Sequence, residues 1–150
     1  VISEFRDEYY FLNDFYPAPL TLPDGRVAPT LGHAFQAYKC VLDEDYLRVL
    51  AAPSPRVAKE LGQQVRCRDD WAAAKLGVMR RLLALKFATG TPLALALINT
   101  GTVLLRNGNT WGGRFWGVCD GRGENWLGHL LMARRAELLG EWVDAQELVE

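Results

Sequence analysis

Residues 69–87 read Asp69-Asp70-Trp71-Ala72-Ala73-Ala74-Lys75-Leu76-Gly77-Val78-Met79-Arg80-Arg81-Leu82-Leu83-Ala84-Leu85-Lys86-Phe87. Ala72, Leu76, Met79, Leu83 and Phe87 recur at helical spacing, with Leu82 beside them, and this apolar stripe predicts a long helix over roughly residues 70–88. Asp69 and Asp70 put negative charge where a helix N-terminus favours it. Gly90-Thr91-Pro92 ends that helix and starts another over residues 93–99. A helix this long, with a second at its end, sets the fold class as mainly α.

Working upstream, Ser54 as N-cap, Pro55 at the first helical position and Gly62 just past the end mark one helix. A short helix over residues 43–50 precedes it. Thr30 is placed to cap an earlier one, in which Ala34, Ala37, Tyr38 and Val41 recur. Leu20-Thr21-Leu22 and Arg26-Val27 flank Pro23-Asp24-Gly25, whose turn chemistry predicts a small hairpin. Tyr9-Tyr10-Phe11-Leu12 reads as extended chain, halted by Tyr16-Pro17-Ala18-Pro19. Downstream, Val103-Leu104-Leu105 reads as a short strand. A helix begins near Asn125 with Leu127, Leu130, Leu131 and Leu138 inward; Gly140 is expected to interrupt it before a last turn or two over residues 142–149. The expectation is a mainly α, compact helical domain with a small β hairpin near the N-terminus, one domain over residues 1–150.

The balance of 49% hydrophobic and 23% charged residues is that of a globular chain, and 150 residues suffice for a real core. A net charge of −1 argues against non-specific nucleic-acid binding as the main work, which needs a basic footprint. It leaves room for a pocket that accepts one modified nucleotide. Cys40, Cys67 and Cys119 show no C-x-x-C spacing, and His33 and His129 are too few for a zinc site. These features predict a reducing, cytoplasmic setting without a disulfide framework. No apolar run approaches membrane-spanning length and no signal-peptide pattern is present.

The segment 106–125 differs from the rest. It interleaves Gly108, Gly112, Gly113, Gly117, Gly121 and Gly123 with Trp111, Phe115 and Trp116. A long aromatic loop inside a small domain is usually functional. Asp120-Gly121-Arg122-Gly123-Glu124-Asn125 runs into a helix start, where backbone N–H groups bind anions and glycines admit a phosphate. The alternative is a flexible turn with Asn125 as helix cap. The three aromatics form either a stacking platform for a planar base or ordinary core packing. Trp71 either faces a cleft or covers its helix end. His33, Gln36 and Lys39 share one helix face, turned to a pocket or to water. Cys119 with His129 would make a Cys–His nucleophile, but nothing else supports that pairing.

With these segments in place, the chain resembles the NADAR family, also called YbiA-like. Phe11–Leu20 (FLNDFYPAPL) resembles that family's F-L-S-N-F-Y-P opening, and Pro29–Lys39 (PTLGHAFQAYK) its P-T-x-E-H-x-F-Q-A-x-K helix. Asp69–Phe87 is similar to its D-W-x-x-x-K-x-x-V-M-x-x-x-L-x-x-K-F helix, and Gly108–Met132 to its closing W-G-x-x-x-x-G-x-G-x-N-x-L-G-x-x-L-M block. Four blocks in order make the resemblance specific. It implies a compact, mainly helical fold and N-glycosidase activity on ribosyl-phosphate or ADP-ribose adducts, including removal of ADP-ribose from guanine in DNA and cleavage of early riboflavin-pathway intermediates. It implies no metal and no cofactor; the partner is an ADP-ribose-like or ribosyl-phosphate small molecule, free or attached to a nucleobase in DNA. The residues it marks for ligand binding are Phe15, Tyr16, His33, Gln36, Lys39, Trp71, Lys75, Asn109, Trp111, Phe115, Trp116, Gly117, Asp120, Gly121, Gly123 and Asn125.

The chain departs from that pattern where catalysis is expected. Gly32 stands at the family's Glu position and Gly113 at its Asp position, while Asp14 is a carboxylate that the family pattern lacks. Cleaving an N-glycosidic bond builds positive charge on the sugar, so a nearby carboxylate is the natural catalyst. Losing one costs on the order of 10²–10³ in rate. Two readings follow: an N-glycosidase in which Asp14, Asp120 or Glu124 supplies the missing acid, or a catalytically impaired domain that holds an ADP-ribose-like nucleotide.

Overall fold

A computed structural model describes Val1–Val149, with side chains through Asp144. Backbone contacts sort the chain into two units: residues 14–86, and residues 1–13 together with the chain from Phe87 onward. The chain is mainly α, as its sequence patterning predicts. No helix among the described residues is long and apolar enough to cross a membrane.

In the unit 14–86, β1 (Leu20–Thr21) and β2 (Val27–Ala28) form the expected antiparallel hairpin, pairing Leu20 with Ala28 and Thr21 with Val27. Four helices follow: α1 (Leu31–Tyr38), α2 (Asp43–Leu50), α3 (Pro55–Gly62) and α4 (Trp71–Lys86). Helix α1 is central and packs on each of the other three. The Thr30 hydroxyl caps α1 by accepting the His33 N–H at 3.1 Å, and Ser54 caps α3 by accepting the Val57 N–H at 3.1 Å. Helix α4 buries Val78, Met79, Leu82, Leu83 and Lys86. Met79, Leu82, Leu83 and Phe87 are buried as the predicted stripe requires and Leu76 is half-buried; Ala72 is exposed instead, and Val78 and Lys86 join the inward face.

The other unit opens with a 3-10 helix, Asp7–Leu12, where extended chain was expected. Tyr9 N–H bonds Arg6 O at 3.0 Å and Asn13 N–H bonds Tyr10 O at 2.9 Å. Such i to i+3 bonds need only a few residues, so an aromatic run without strand alternation settles into them and buries Leu12. Helix α5 (Pro92–Ile98) is capped by Thr91, and α6 (Trp126–Val149) packs against it. Val103–Leu105 contributes only an isolated bridge, Leu105 to Ile2, rather than a strand. Gly140 does not interrupt α6. A helix-interior glycine costs only about 1 kcal/mol relative to alanine, too little to end a helix this long. Two-residue strands β3 (Gly108–Asn109) and β4 (Val118–Cys119) pair in parallel.

His33 lies inside unit 14–86, only 1% exposed. Its Nδ1 is 2.9 Å from the Thr30 hydroxyl and its Nε2 is 3.0 Å from the Ala52 carbonyl. A neutral ring protonated on Nε2 satisfies every group: Nε2–H donates to the carbonyl, and the hydroxyl donates to Nδ1 while accepting from the His33 backbone. Both ring nitrogens are thus engaged, Nδ1 with the cap of α1 and Nε2 with the chain just past α2, and neither is turned to a ligand. His33→Ala is expected to lower the unfolding free energy by about 2–4 kcal/mol, through a cavity and an orphaned carbonyl. Urea melts check this; a loss within about 0.5 kcal/mol, as at ordinary surface positions, overturns the structural assignment.

Candidate active site

The chain from Asp14 to Tyr16 runs against the first turn of α1. Gly32 N–H donates to the Asp14 carbonyl at 2.8 Å. A Cβ added at Gly32 would lie 3.2 Å from that same oxygen and 3.2 Å from Cδ1 of Phe15. That is close contact rather than overlap, so a side chain fits once its neighbours shift by a few tenths of an ångström. Residue 14 and position 32 are therefore adjacent through the backbone.

Lys86 joins this cluster, and its sequence reading did not single it out. At the C-terminal end of α4 it is 3% exposed, and burial pulls its pKa down to about 8 against the opposing pull of the Asp14 charge. Its Nζ lies 5.5 Å from the centre of the Tyr16 ring, in the range of a cation–π contact. Burial pushes the half-buried Asp14 carboxyl up, and the charges of Lys86 and, less, Lys59 offset part of that rise. Burial thus draws both the acid and the amine toward neutrality, the kind of shift found where groups exchange protons. The signal for Lys86 was present: Met79, Leu82, Leu83 and Lys86 are spaced i, i+3, i+4, i+7.

The remaining residues marked in this unit lie along α1 and the start of α4. Lys39 Nζ donates to Gln36 Oε1 at 3.2 Å, and the Gln36 side chain lies so close to Gly62 that any Cβ there would collide with it. Trp71 packs on Phe35 with ring centres 4.9 Å apart, and the Arg68 guanidinium lies 6.0 Å from the Trp71 ring. Arg68 is itself held by Asp70 through bonds of 2.6 and 2.8 Å. Lys75 is half-buried on the first turns of α4.

In the other unit, the glycine-rich loop is closed on itself. Asn125 takes a left-handed conformation, φ 53°, and is 8% exposed. Its Nδ2 donates to Leu105 O at 2.9 Å and its Oδ1 accepts from Asn107 N–H at 2.9 Å. It therefore bolts the segment 105–107 to the start of α6. The N–H groups of Glu124, Asn125, Trp126 and Leu127 donate to the carbonyls of Arg114, Gly117, Phe115 and Trp116 at 2.7, 3.3, 3.1 and 3.1 Å. Those helix-start donors, read from sequence as a phosphate seat, are already engaged. Asp120 and Gly121 have φ 53° and 72°, with Cys119 and Arg122 exchanging bonds of 2.9 and 3.0 Å around them. This is the Asp-Gly turn that favours positive φ at both central residues.

Asn109 clasps Gly113: its Oδ1 accepts the Gly113 N–H at 2.9 Å and its Nδ2 donates to the Gly113 carbonyl at 2.8 Å. The Trp111 ring, on a side chain 68% exposed, lies where a Gly113 Cβ would be. A Cβ at Gly117 would overlap the Asn107 carbonyl, and one at Gly123 would overlap the Gly117 carbonyl. Phe115 and Trp116 meet edge to face with centres 4.8 Å apart, so they do not form a flat stacked pair. Cys119 is buried and its thiol faces Asp120, whereas His129 is exposed and meets the Trp126 ring.

The NADAR domain model matches residues 3–139. The chain belongs to the NADAR family. It is 35% identical over 136 residues to N-glycosidase YbiA of Escherichia coli (strain K12), covering 88% of this chain and 83% of that protein. It is 37% identical over 137 residues to a riboflavin biosynthesis protein of Vibrio vulnificus (strain YJ016), covering 88% of this chain but only 36% of that longer relative. The NMR structure of the E. coli protein YbiA superposes with a TM-score of 0.83 at 31% identity, covering 95% of this chain and 85% of that one.

Burial of Lys86 has a defined pH signature. Unfolded, the lysine titrates near 10.5; folded, near 8. Between those values the unfolded state binds more protons, so stability rises with pH through the window. Relative to Lys86→Met, the wild type is expected to gain about 2–3 kcal/mol between pH 7 and pH 10, read from urea melts at each pH. A constant difference overturns the assignment. Asn125→Ala, which removes both bonds of the bolt, is expected to cost about 2–3 kcal/mol in the same measurement.

Proposed function

We propose that the chain is an N-glycosidase of the NADAR type, hydrolysing the N-glycosidic bond of an ADP-ribosylated base such as guanine, or of a related ribosyl-phosphate N-glycoside. The observation that carries this reading is the Asp14–Lys86 pair, an acid and an amine acting on one another's charge, with the Asp14 backbone bonded to Gly32 where the family resemblance expects Glu. The family's named N-glycosidase and riboflavin relatives support the bond type. A cytoplasmic setting is part of the proposal.

In the proposed reaction, the Asp14 carboxylate takes a proton from water as the oxygen attacks the anomeric carbon. The carbon–nitrogen bond breaks, and the protonated amine of Lys86 supplies the proton that the departing base needs. The products are the free base and the sugar with a hydroxyl at that carbon. The carboxylate also stabilises the positive charge that develops on the sugar. On this scheme the rate falls as pH rises through about 8, where Lys86 loses its proton.

A second reading rests on Gly32 and Gly113: with both expected acids absent, the domain binds and sequesters an ADP-ribose-like nucleotide without cleaving it. Both readings are tested with an ADP-ribosylated guanine and a ribosylamino-pyrimidine phosphate, following free sugar. Asp14→Asn and Lys86→Met are each expected to slow release by on the order of 10²-fold, and Gly32→Glu to raise it by about 10-fold or more. A rate that climbs through pH 8 instead assigns Lys86 as a neutral nucleophile. Binding of ADP-ribose by calorimetry with no release, even in Gly32→Glu, favours the sequestering reading.

A further inference from the structure

Cys40 and Cys67 oppose each other in an isolated antiparallel bridge between the end of α1 and the segment entering α4. The hydrogen bonds lie one residue to either side: Val41 N–H to Arg66 O at 3.1 Å, and Arg68 N–H to Lys39 O at 2.9 Å. This makes the cysteines the non-hydrogen-bonded pair of the ladder. In that register opposing Cα atoms stand about 4.5 Å apart, with both side chains on one face. A disulfide needs Cα atoms about 4.4–6.8 Å apart and Cβ vectors that converge, and this register supplies both. We propose that Cys40 and Cys67 are a reversible thiol pair that closes into an intramolecular disulfide, stapling the end of α1 to the segment leading into α4.

The surroundings set the order of events. Cys67 is exposed and Cys40 half-buried; their thiols make only weak contacts, with Arg68 O at 3.5 Å and Gln36 O at 3.6 Å. Burial, aided by the Asp45 charge, holds the Cys40 thiol up, so Cys67 reacts first. The Cys67 thiolate attacks one sulfur of a small disulfide such as oxidised glutathione, breaking its S–S bond and releasing one thiol. Cys40 gives its proton to solvent, attacks the Cys67 sulfur and expels the second thiol. Two protein thiols are oxidised and one external disulfide is reduced to two thiols. Cys40 also lines a cavity of about 580 Å³ with Tyr38, Tyr46, Arg68 and Arg81, which opens its side of the bridge. Cys119 is buried in the other unit.

The closed bond encloses α2 and α3 in a covalent loop, which restricts the unfolded chain more than the folded one. It lies one residue from Lys39 and from Arg68, whose mutual backbone bond it fixes. No sequence motif marks the pair, because the ladder and not the spacing brings the cysteines together.

The test treats the whole reduced chain with oxidised glutathione, blocks free thiols with an alkylating agent, and reads intact mass and peptide map. The expected result is loss of two hydrogens, a Cys40–Cys67 crosslink, and a Tm about 5–10 °C above the reduced protein, reversed by dithiothreitol. Crosslink and shift are expected to vanish in Cys67→Ser and Cys40→Ser and to persist in Cys119→Ser. Cys67 is exposed, so its serine variant keeps the fold. A stable glutathione adduct on Cys67 in the folded protein, a disulfide between chains, or a closed pair with unchanged or lower Tm overturns the proposal.

Discussion

A buried ammonium group constrains the unit 14–86 more than any other single feature. Removing an unpaired ion from water costs several kcal/mol even after relaxation, so Lys86 requires a counter-charge and a polarisable surface at the end of α4. Asp14 supplies the first and the Tyr16 ring the second. Both lie in the stretch whose Asp14 carbonyl accepts the Gly32 N–H, so satisfying Lys86 also fixes the first turn of α1. A methionine or leucine there would extend the apolar face of Val78, Met79, Leu82 and Leu83 without that demand. A position where the fold alone favours a hydrophobe but holds a lysine is best explained by chemistry.

The unit containing α6 answers a different constraint, that of backbone donors at a buried helix start. Four orphan N–H groups open every helix. Here the loop before α6 turns back so that its own carbonyls take the donors around that start, and Asn125 adds a side-chain bolt to segment 105–107. Gly117 and Gly123 follow from this packing, because their Cβ positions are filled by carbonyl oxygens. The glycines serve close backbone approach within the loop, a role the bare spacing cannot distinguish from approach to a phosphate.

The helices were legible because their signals are local. Thr30, Ser54 with Pro55, and the Thr91-Pro92 step each mark an N-terminus by side-chain chemistry that acts within three residues. The Asp14–Gly32 adjacency shows only in the fold, since no local pattern links residues 18 positions apart. What escaped depended on tertiary setting. The run 7–12 became a 3-10 helix through bonds that its aromatic composition does not announce, and α4 exposes Ala72 and buries Lys86. Lys86 matches the K-F of the family helix and sits at inward helical spacing, but a lysine at such spacing is ordinarily solvated, and its role shows only in its depth. His33 matched a ligand-binding motif, yet its two nitrogens serve the fold.

The two positions where the family resemblance leads one to expect acids, Gly32 and Gly113, differ physically. At Gly113 the space of a side chain is occupied by the Trp111 ring, and the backbone is clasped on both sides by Asn109. An Asp there would have to move the exposed end of the Trp111 side chain aside. At Gly32 a Cβ would stand 3.2 Å from the Asp14 carbonyl and the Phe15 ring, so a side chain there needs those neighbours to give by a few tenths of an ångström. Position 32 and residue 14 are therefore neighbours through the Asp14 backbone, and the Asp14 charge acts on Lys86. Under the proposed hydrolysis, the charge that the family places on α1 is carried instead by the strand of chain packed against it, and the amine that would protonate the leaving base is unchanged by the exchange.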